Sequence, residues 1–156
     1  MERRRIMLAV ALFAGFLFVI HGCSEKKVYT LDEPGAKTAS LSFPEFIQIR
    51  GIDGESVESL LSRMIYEGQN EVVFPAGPHE IELRYNDIWD IDDNDHEKIT
   101  SRYVLLQFDA KAGGQYKFNI EPPDDRRSAQ ALAARFNPAI IDVQTGKAVS
   151  RFIAEE

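Results

Sequence analysis

Most of the chain after residue 37 alternates between apolar and polar residues with a period of two. This pattern is typical of strands that bury one face. It is clearest over 79–86, where three apolar side chains alternate with three charged ones: Ile81, Leu83 and Tyr85 with Glu80, Glu82 and Arg84. Similar runs, bounded by turn residues such as Asp53-Gly54 and Gly113-Gly114, predict further strands over 46–52, 70–74, 103–108 and 115–120.

The segment 103–108 differs from the others because it is apolar on both faces. A strand of this kind is expected in the middle of a sheet, with other elements covering both sides. The alternative is a strand at a sheet edge, where it would be available to pair with another β-chain. The sequence favours the buried central strand.

Two segments depart from the β pattern. The segment 125–136 predicts a helix, with acidic residues and Ser128 near its start, several alanines, and Asn137-Pro138 as its stop. The segment 56–66 has helical spacing of its apolar residues, but a loop followed by a short strand fits nearly as well. A last hairpin is predicted over 139–152, turning at Thr145-Gly146.

Short strands with turns at regular intervals predict an all-β, sandwich-like domain with one helix near the C-terminus. We place this domain at 38–156. The segment 23–37 is polar and contains the Pro34-Gly35 break, so we expect it to be a tether.

The N-terminus predicts export. Three arginines precede an uncharged apolar run over 6–20, which is too short to span a bilayer comfortably. The sequence Ile20-His21-Gly22-Cys23 follows at once. Residues 1–22 therefore indicate a secretory signal peptide, and the final residues resemble the lipobox of bacterial lipoproteins. The alternative is a plain signal peptide with a chance cysteine.

The lipobox resemblance implies that Cys23 becomes the mature N-terminus and carries acyl chains, palmitate among them. Membrane attachment would then be through lipid. Ser24 follows the cysteine. In Gram-negative bacteria a residue other than aspartate at this position favours the outer membrane, so we expect a lipoprotein at the periplasmic face of that membrane.

Charge and composition exclude some classes of partner. The chain has 18 Lys and Arg against 25 Asp and Glu, a net charge of −7, and loss of residues 1–22 makes it −9. An acidic domain without a basic stripe is unsuited to nucleic acid. Cys23 is the only cysteine, so no internal disulfide can form and stability must come from packing.

The sequence contains few of the motifs that enzymes use for catalysis. It contains no Gly-x-Ser-x-Gly elbow and no phosphate-binding glycine loop, so we predict neither an enzyme nor a cofactor. The acidic run Asp90–Glu97 begins like a calcium loop, but Asp95 stands where glycine is needed and Ser101 where glutamate is needed. We interpret it as a solvated hairpin loop, with a looser calcium site as the alternative.

Two residues are candidates for binding. His79 directly follows the Gly77-Pro78 turn at the start of a strand, where it is either a turn residue at the edge of the core or a ligand-binding side chain. Trp89 lies beyond the regular alternation and is a candidate aromatic platform for a sugar or peptide. Tyr85 shares the spacing of Ile81 and Leu83, so we expect it in the core.

The order of several motifs resembles a known family. These motifs are Ile52-Asp53-Gly54, Gly77-Pro78-His79 with the strand after it, Leu106-Gln107-Phe108-Asp109, and Phe136-Asn137 after the alanine-rich segment. The resemblance covers roughly Phe43 to Val149. It is to small exported proteins catalogued as a domain of unknown function, a family that includes the curli synthesis inhibitor protein of enteric bacteria.

The resemblance implies an exported, non-enzymatic, β-rich domain that restrains the polymerisation of an amyloid subunit. From the sequence we therefore expect a lipid-anchored envelope protein that binds a protein client. The alternative is a module of the cell envelope that associates with carbohydrate or peptidoglycan.

Overall fold

The computed structural model describes residues 27–30, 37–56 and 69–153. Most of these residues lie in strands. In chain order the strands are β1 Lys27–Thr30, β2 Thr38–Pro44, β3 Ile47–Ile52, β4 Glu55–Ser56, β5 Gln69–Pro75, β6 Gly77–Asp92, β7 Asp95–Thr100, β8 Val104–Ala110, β9 Gln115–Phe118, β10 Ile140–Asp142 and β11 Ser150–Ile153. The helix α1 spans Arg126–Ala134.

The strands form two sheets around one apolar core. The first sheet has the order β1-β5-β2-β9-β10, and the second has the order β11-β8-β6-β3-β4, with β7 paired to β6. Side chains from both sheets make up the core, and several are fully buried: Leu41, Phe74, Ile81, Leu83, Tyr85 and Tyr116. The all-β prediction with one helix near the C-terminus is confirmed.

Strand β6 has the predicted register but is longer than predicted. Ile81, Leu83 and Tyr85 are buried and the charged residues between them are half-exposed, as the alternation requires. The strand then continues to Asp92, paired with β7 alone. The alternation of apolar and polar residues ends near residue 86 because the side chains beyond it lie outside the core. The backbone hydrogen bonds to β7 continue, since strand pairing does not require buried side chains.

Strand β8 occupies the central position that its composition predicts. It pairs with β6 on one side and with β11 on the other. Val104, Leu106 and Phe108 face the core, and the residues between them are more exposed.

The predicted C-terminal hairpin forms next to its turn, but its two arms join different sheets. The turn at Thr145-Gly146 forms, but β10 pairs with β9 in the first sheet and β11 pairs with β8 in the second. Next to the turn the two arms are joined by the bridge between Ile141 and Ala148. Two backbone hydrogen bonds flank it, from the Asp142 N–H to the Lys147 carbonyl at 3.0 Å and from the Val149 N–H to the Ile140 carbonyl at 2.8 Å. The arms also pair with different strands, β9 and β8, and so belong to different sheets.

The predicted helix is confirmed. Asp125 is its N-cap, and its carboxylate accepts the backbone N–H of Ser128 at 2.7 Å. Hydrogen bonds from Ser128 hold the pKa of the Asp125 carboxyl below its usual range. The helix packs against β6 and β7 and buries Ala129 completely.

Several predictions fall wholly or partly beyond the described residues. The signal peptide 1–22 and Cys23 lie outside them, as do residues 57–66 of the ambiguous segment 56–66. Lys27–Thr30, within the segment expected to be a tether, forms β1 and pairs in parallel with β5. None of the described helical residues makes a segment long and apolar enough to cross a bilayer.

Candidate functional site

His79 is the centre of a buried cluster at one end of the sandwich. Its ring lies between Phe74 and Phe108, with centroid distances of 4.7 and 6.1 Å. Its Nδ1 is 2.7 Å from the Asp53 carboxylate, and its Nε2 is 2.7 Å from the Pro75 carbonyl oxygen. Since the side chain is only 8% exposed, the cluster is shielded from solvent on the histidine side.

The partners of His79 determine what it can do. The Asp53 carboxylate lies at hydrogen-bonding distance from Nδ1 and the Pro75 carbonyl oxygen at hydrogen-bonding distance from Nε2, so both ring nitrogens face partners inside the protein. No ring nitrogen is left to bind a ligand or accept a proton from a substrate. In this geometry His79 connects the β3–β4 turn and the last residue of β5 to the start of β6.

Asp53 holds this cluster from the β3–β4 turn. Its φ of 55° and the φ of 79° at Gly54 are the left-handed pair that a two-residue hairpin turn requires. Its second carboxylate oxygen accepts the N–H of Glu80 at 2.8 Å, and its own N–H donates to the Glu80 carbonyl at 2.8 Å. One acidic side chain therefore fastens the turn to β6 and to His79.

We expect Asp53→Ala to lower the free energy of unfolding by about 2–3 kcal/mol, since it leaves the buried His79 Nδ1 and the Glu80 N–H without partners. Asp53→Asn should lose less than half as much. Its amide can still accept from Glu80 and donate to a neutral imidazole, and asparagine tolerates positive φ. Urea denaturation of the two variants measures the difference. Equal losses would contradict this account of the cluster.

Trp89, the other candidate binding residue, contacts the apolar core beside Tyr85. It is half-buried, packs against the core, and donates its indole N–H to the Tyr85 hydroxyl at 3.1 Å. That hydroxyl donates to Asp87 at 3.1 Å. Burial raises the pKa of Tyr85 to about 12, so the hydroxyl keeps its proton at neutral pH. Tyr85 is a core residue as predicted, and Trp89 offers only part of its ring to solvent.

The acidic segment forms the end of the β6–β7 hairpin, in agreement with its interpretation as a solvated loop. Asp90 pairs with His96 at 2.7 Å, and Asp92 accepts the Asn94 N–H at 2.9 Å. Glu97 bonds to helix residue Gln130 at 3.0 Å. The carboxylates thus serve separate local contacts. Among the residues that the structure describes, no group of three or more side chains is placed to hold a metal ion.

The outer face of the second sheet carries a polar network that the sequence did not predict. The guanidinium groups of Arg50 and Arg84 lie 4.4 and 4.6 Å from the centroid of the Tyr103 ring. Arg50 also bonds to Glu82 at 2.7 Å. The polar positions of the alternating strands predict an exposed face of the sheet. They do not show which residues of neighbouring strands contact each other on that face.

Strand β11 forms an open edge of the second sheet. One side of it pairs with β8, and no strand of the described chain pairs with the other side. Phe152 in this strand is 40% exposed although its cross-strand neighbour Leu106 is buried. An edge of this kind presents unpaired backbone groups and an apolar side chain together.

Comparisons with known proteins give one finding. The model of a family described as an uncharacterized protein conserved in bacteria, DUF2057, matches residues 40–154. No match was found among curated proteins or among solved structures. The match covers most of the chain and nearly all of the two sheets, and it confirms the resemblance to a family of unknown function. The chain belongs to the DUF2057 family of bacterial proteins.

Proposed function

We propose that this chain is a non-catalytic, lipid-anchored envelope protein that binds a protein client through an open sheet edge. The observation that carries the proposal is the unpaired side of β11, next to the exposed Phe152. Extended polypeptides bind such edges by adding a strand, which uses main-chain hydrogen bonds for affinity.

The described histidines support a non-catalytic role. His79 uses both ring nitrogens in internal hydrogen bonds, and His96 pairs with Asp90 at the exposed tip of a hairpin. A general base needs a free nitrogen within reach of a substrate proton. Neither described histidine combines a free nitrogen with an enclosed site, so binding is the simpler function for this fold.

The proposed location is the periplasmic face of the outer membrane. Its support is the signal peptide pattern over 1–22, the lipobox ending at Cys23 and the serine after it. Acyl chains on the N-terminal cysteine would make the attachment stable. The domain would then meet its client within the envelope.

The proposed process is the assembly of an extracellular amyloid of the curli type. A β-fibre grows by adding strands to its exposed end. A domain that pairs with that end through one edge strand, and offers no second unpaired edge there, would prevent the next subunit from adding. The mature chain's negative charge would also repel further acidic subunits from the capped end.

A polymerisation assay tests this proposal. We expect the full-length chain, kept soluble in mild detergent, to lengthen the lag phase of an amyloid-forming envelope subunit at substoichiometric ratios. Thioflavin fluorescence against time is the measurement, and the subunit should remain intact by mass spectrometry. An equal concentration of the chain unfolded by Leu83→Asp is the control, because it keeps the composition without the fold.

An unchanged lag time would contradict the amyloid proposal. If the same preparation bound firmly to purified peptidoglycan, the alternative of a carbohydrate- or peptidoglycan-associating module would replace it. Cleavage of the subunit during the assay would contradict the non-catalytic role.

A further inference from the structure

We propose that β11 is the client-binding edge and that its occupant is an extended polypeptide segment with apolar side chains at alternate positions and a carboxylate beside Arg151. This inference rests on the proposed function and specifies its site. It follows from a comparison of the described edges and from the side chains that flank β11.

Of the other described edges, those at β4, β10 and β7 are protected, and the remaining one, β1, begins with Lys27, a residue type that discourages pairing at an edge. Strand β4 has only two residues. The outer side of β10 is covered in part by 147–149, through the Ile141–Ala148 bridge and a 2.8 Å bond from the Val149 N–H to the Ile140 carbonyl. Strand β7 carries Asp95, Glu97 and Lys98 in its first four residues, and charges on an edge discourage pairing with another strand.

Strand β11 is less protected, and Arg151 is its only charged residue. Its four residues, Ser150 to Ile153, pair with β8 in continuous register and contain neither a proline nor a bulge. Phe152 has the same parity as the core-facing Ser150, yet it is 40% exposed because no further described strand covers it. An added strand would place a side chain next to Phe152 and remove its ring from water. This contact favours an apolar residue at that position of the occupant.

The opposite face of β11 carries Arg151, which favours a negatively charged residue in the bound segment. Arg151 donates from Nε to the Gln107 side chain at 2.8 Å, and no ion pair with another described residue accompanies this bond. It lines a groove of about 570 Å³ that also contains Glu80, Asp109 and Val149. On a net acidic domain, Arg151 is a cationic point at the edge, so it favours a carboxylate in the occupant.

Glu80 and Asp109 limit how acidic the occupant can be. Both line the same groove as Arg151, and their carboxylates would repel a segment that carried several acidic residues. The edge therefore favours a single carboxylate within an otherwise uncharged segment. Main-chain pairing would supply affinity, while Phe152 and Arg151 would set the side chains that fit.

Binding of labelled peptides to the full-length chain in mild detergent tests this inference. The first probe is a short fluorescein-labelled peptide of alternating valine and threonine with one central glutamate. Matched probes carry lysine in place of the glutamate, or proline at alternate positions. We expect the glutamate peptide to bind best and the proline peptide not to bind, because proline removes the donors that a ladder needs.

Two variants with matched controls locate the site. Phe152→Lys should weaken binding about tenfold or more, as expected for a residue at the centre of a small contact. Arg151→Glu should reverse the preference, so that the lysine peptide binds better than the glutamate peptide. The controls are Ile88→Lys, at a residue that is 61% exposed on another strand, and Arg135→Glu, after the helix. Both controls should leave binding within about twofold of wild type. Circular dichroism checks that each variant is folded.

The outcomes separate the two proposals. Binding of the glutamate peptide that all four variants leave unchanged would overturn β11 as the site while leaving client binding intact. Equal binding of the proline peptide would overturn strand addition. Absence of binding by every probe, together with an unchanged polymerisation lag, would overturn the proposed function itself.

Discussion

Leu83→Asp is expected to unfold the domain. Leu83 is fully buried near the middle of β6, where it pairs with Ile49 on one side and Val104 on the other. A carboxylate there would have no partner, and burying it unpaired costs several kcal/mol in addition to the lost apolar contact. Since domains of this size are stable by only about 5–15 kcal/mol, most of the population should be unfolded. Loss of the β-type circular dichroism signal and of dispersed amide resonances measures the effect.

The adjacent position provides the control. Glu82 lies on the opposite face of the same strand, where it bonds to Arg50 at 2.7 Å and is partly exposed. Glu82→Gln keeps the shape and one acceptor oxygen, so it should cost less than about 1 kcal/mol. Similar destabilisation by the two substitutions would mean that the register of β6 is wrong.

Cys23→Ala is expected to abolish acylation completely. If the lipobox interpretation is correct, the thiol of Cys23 is the attachment point, and no other cysteine can replace it. The variant should accumulate as an uncleaved or soluble form, whereas the wild-type chain should take up labelled palmitate and fractionate with membranes. Failure of the wild-type chain to take up the label would contradict the lipoprotein interpretation.

A second substitution tests the sorting prediction separately. Ser24→Asp should still be acylated, because the cysteine is intact, but it should shift from the outer to the inner membrane fraction. If both proteins stayed in the same membrane, the outer-membrane expectation would lose its support while the lipid anchor remained.

Features set by local sequence were predictable. The β6 register follows from the alternation around Leu83, the β3–β4 turn from Asp53-Gly54, and the helix from its cap at Asp125 and its stop at Asn137-Pro138. In each case the deciding contacts lie within a few residues along the chain. The periodicity and the turn chemistry therefore contain the needed information.

Features set by long-range pairing were not predictable. The separation of β10 and β11 into different sheets depends on which strands, β9 and β8, lie beside them. The parallel addition of β1 to β5 joins segments more than 40 residues apart, as the pairing of Lys27 with Asn70 shows. The alternation of apolar and polar residues shows which face of a strand is buried, but it does not identify the strand that pairs with it.

The candidate site shows the same division. The sequence singled out His79 from its place after a turn, but its contacts with Asp53 and Pro75 appear only when three segments meet. Because of those contacts, His79 connects three segments of the fold through hydrogen bonds and does not serve as a ligand-binding residue. The importance of Phe152 and Arg151 likewise depends on β11 lying at a sheet edge, which no local pattern reveals.

Amide hydrogen exchange of the full-length chain, with and without an amyloid-forming envelope subunit, tests the central claim most directly. Edge amides that point to solvent exchange quickly, and pairing with a client strand slows them. We expect new protection at residues 150–153 when the subunit is present, with little change in the β6–β7 hairpin. Unchanged exchange at residues 150–153 under conditions where the subunit is bound would contradict it.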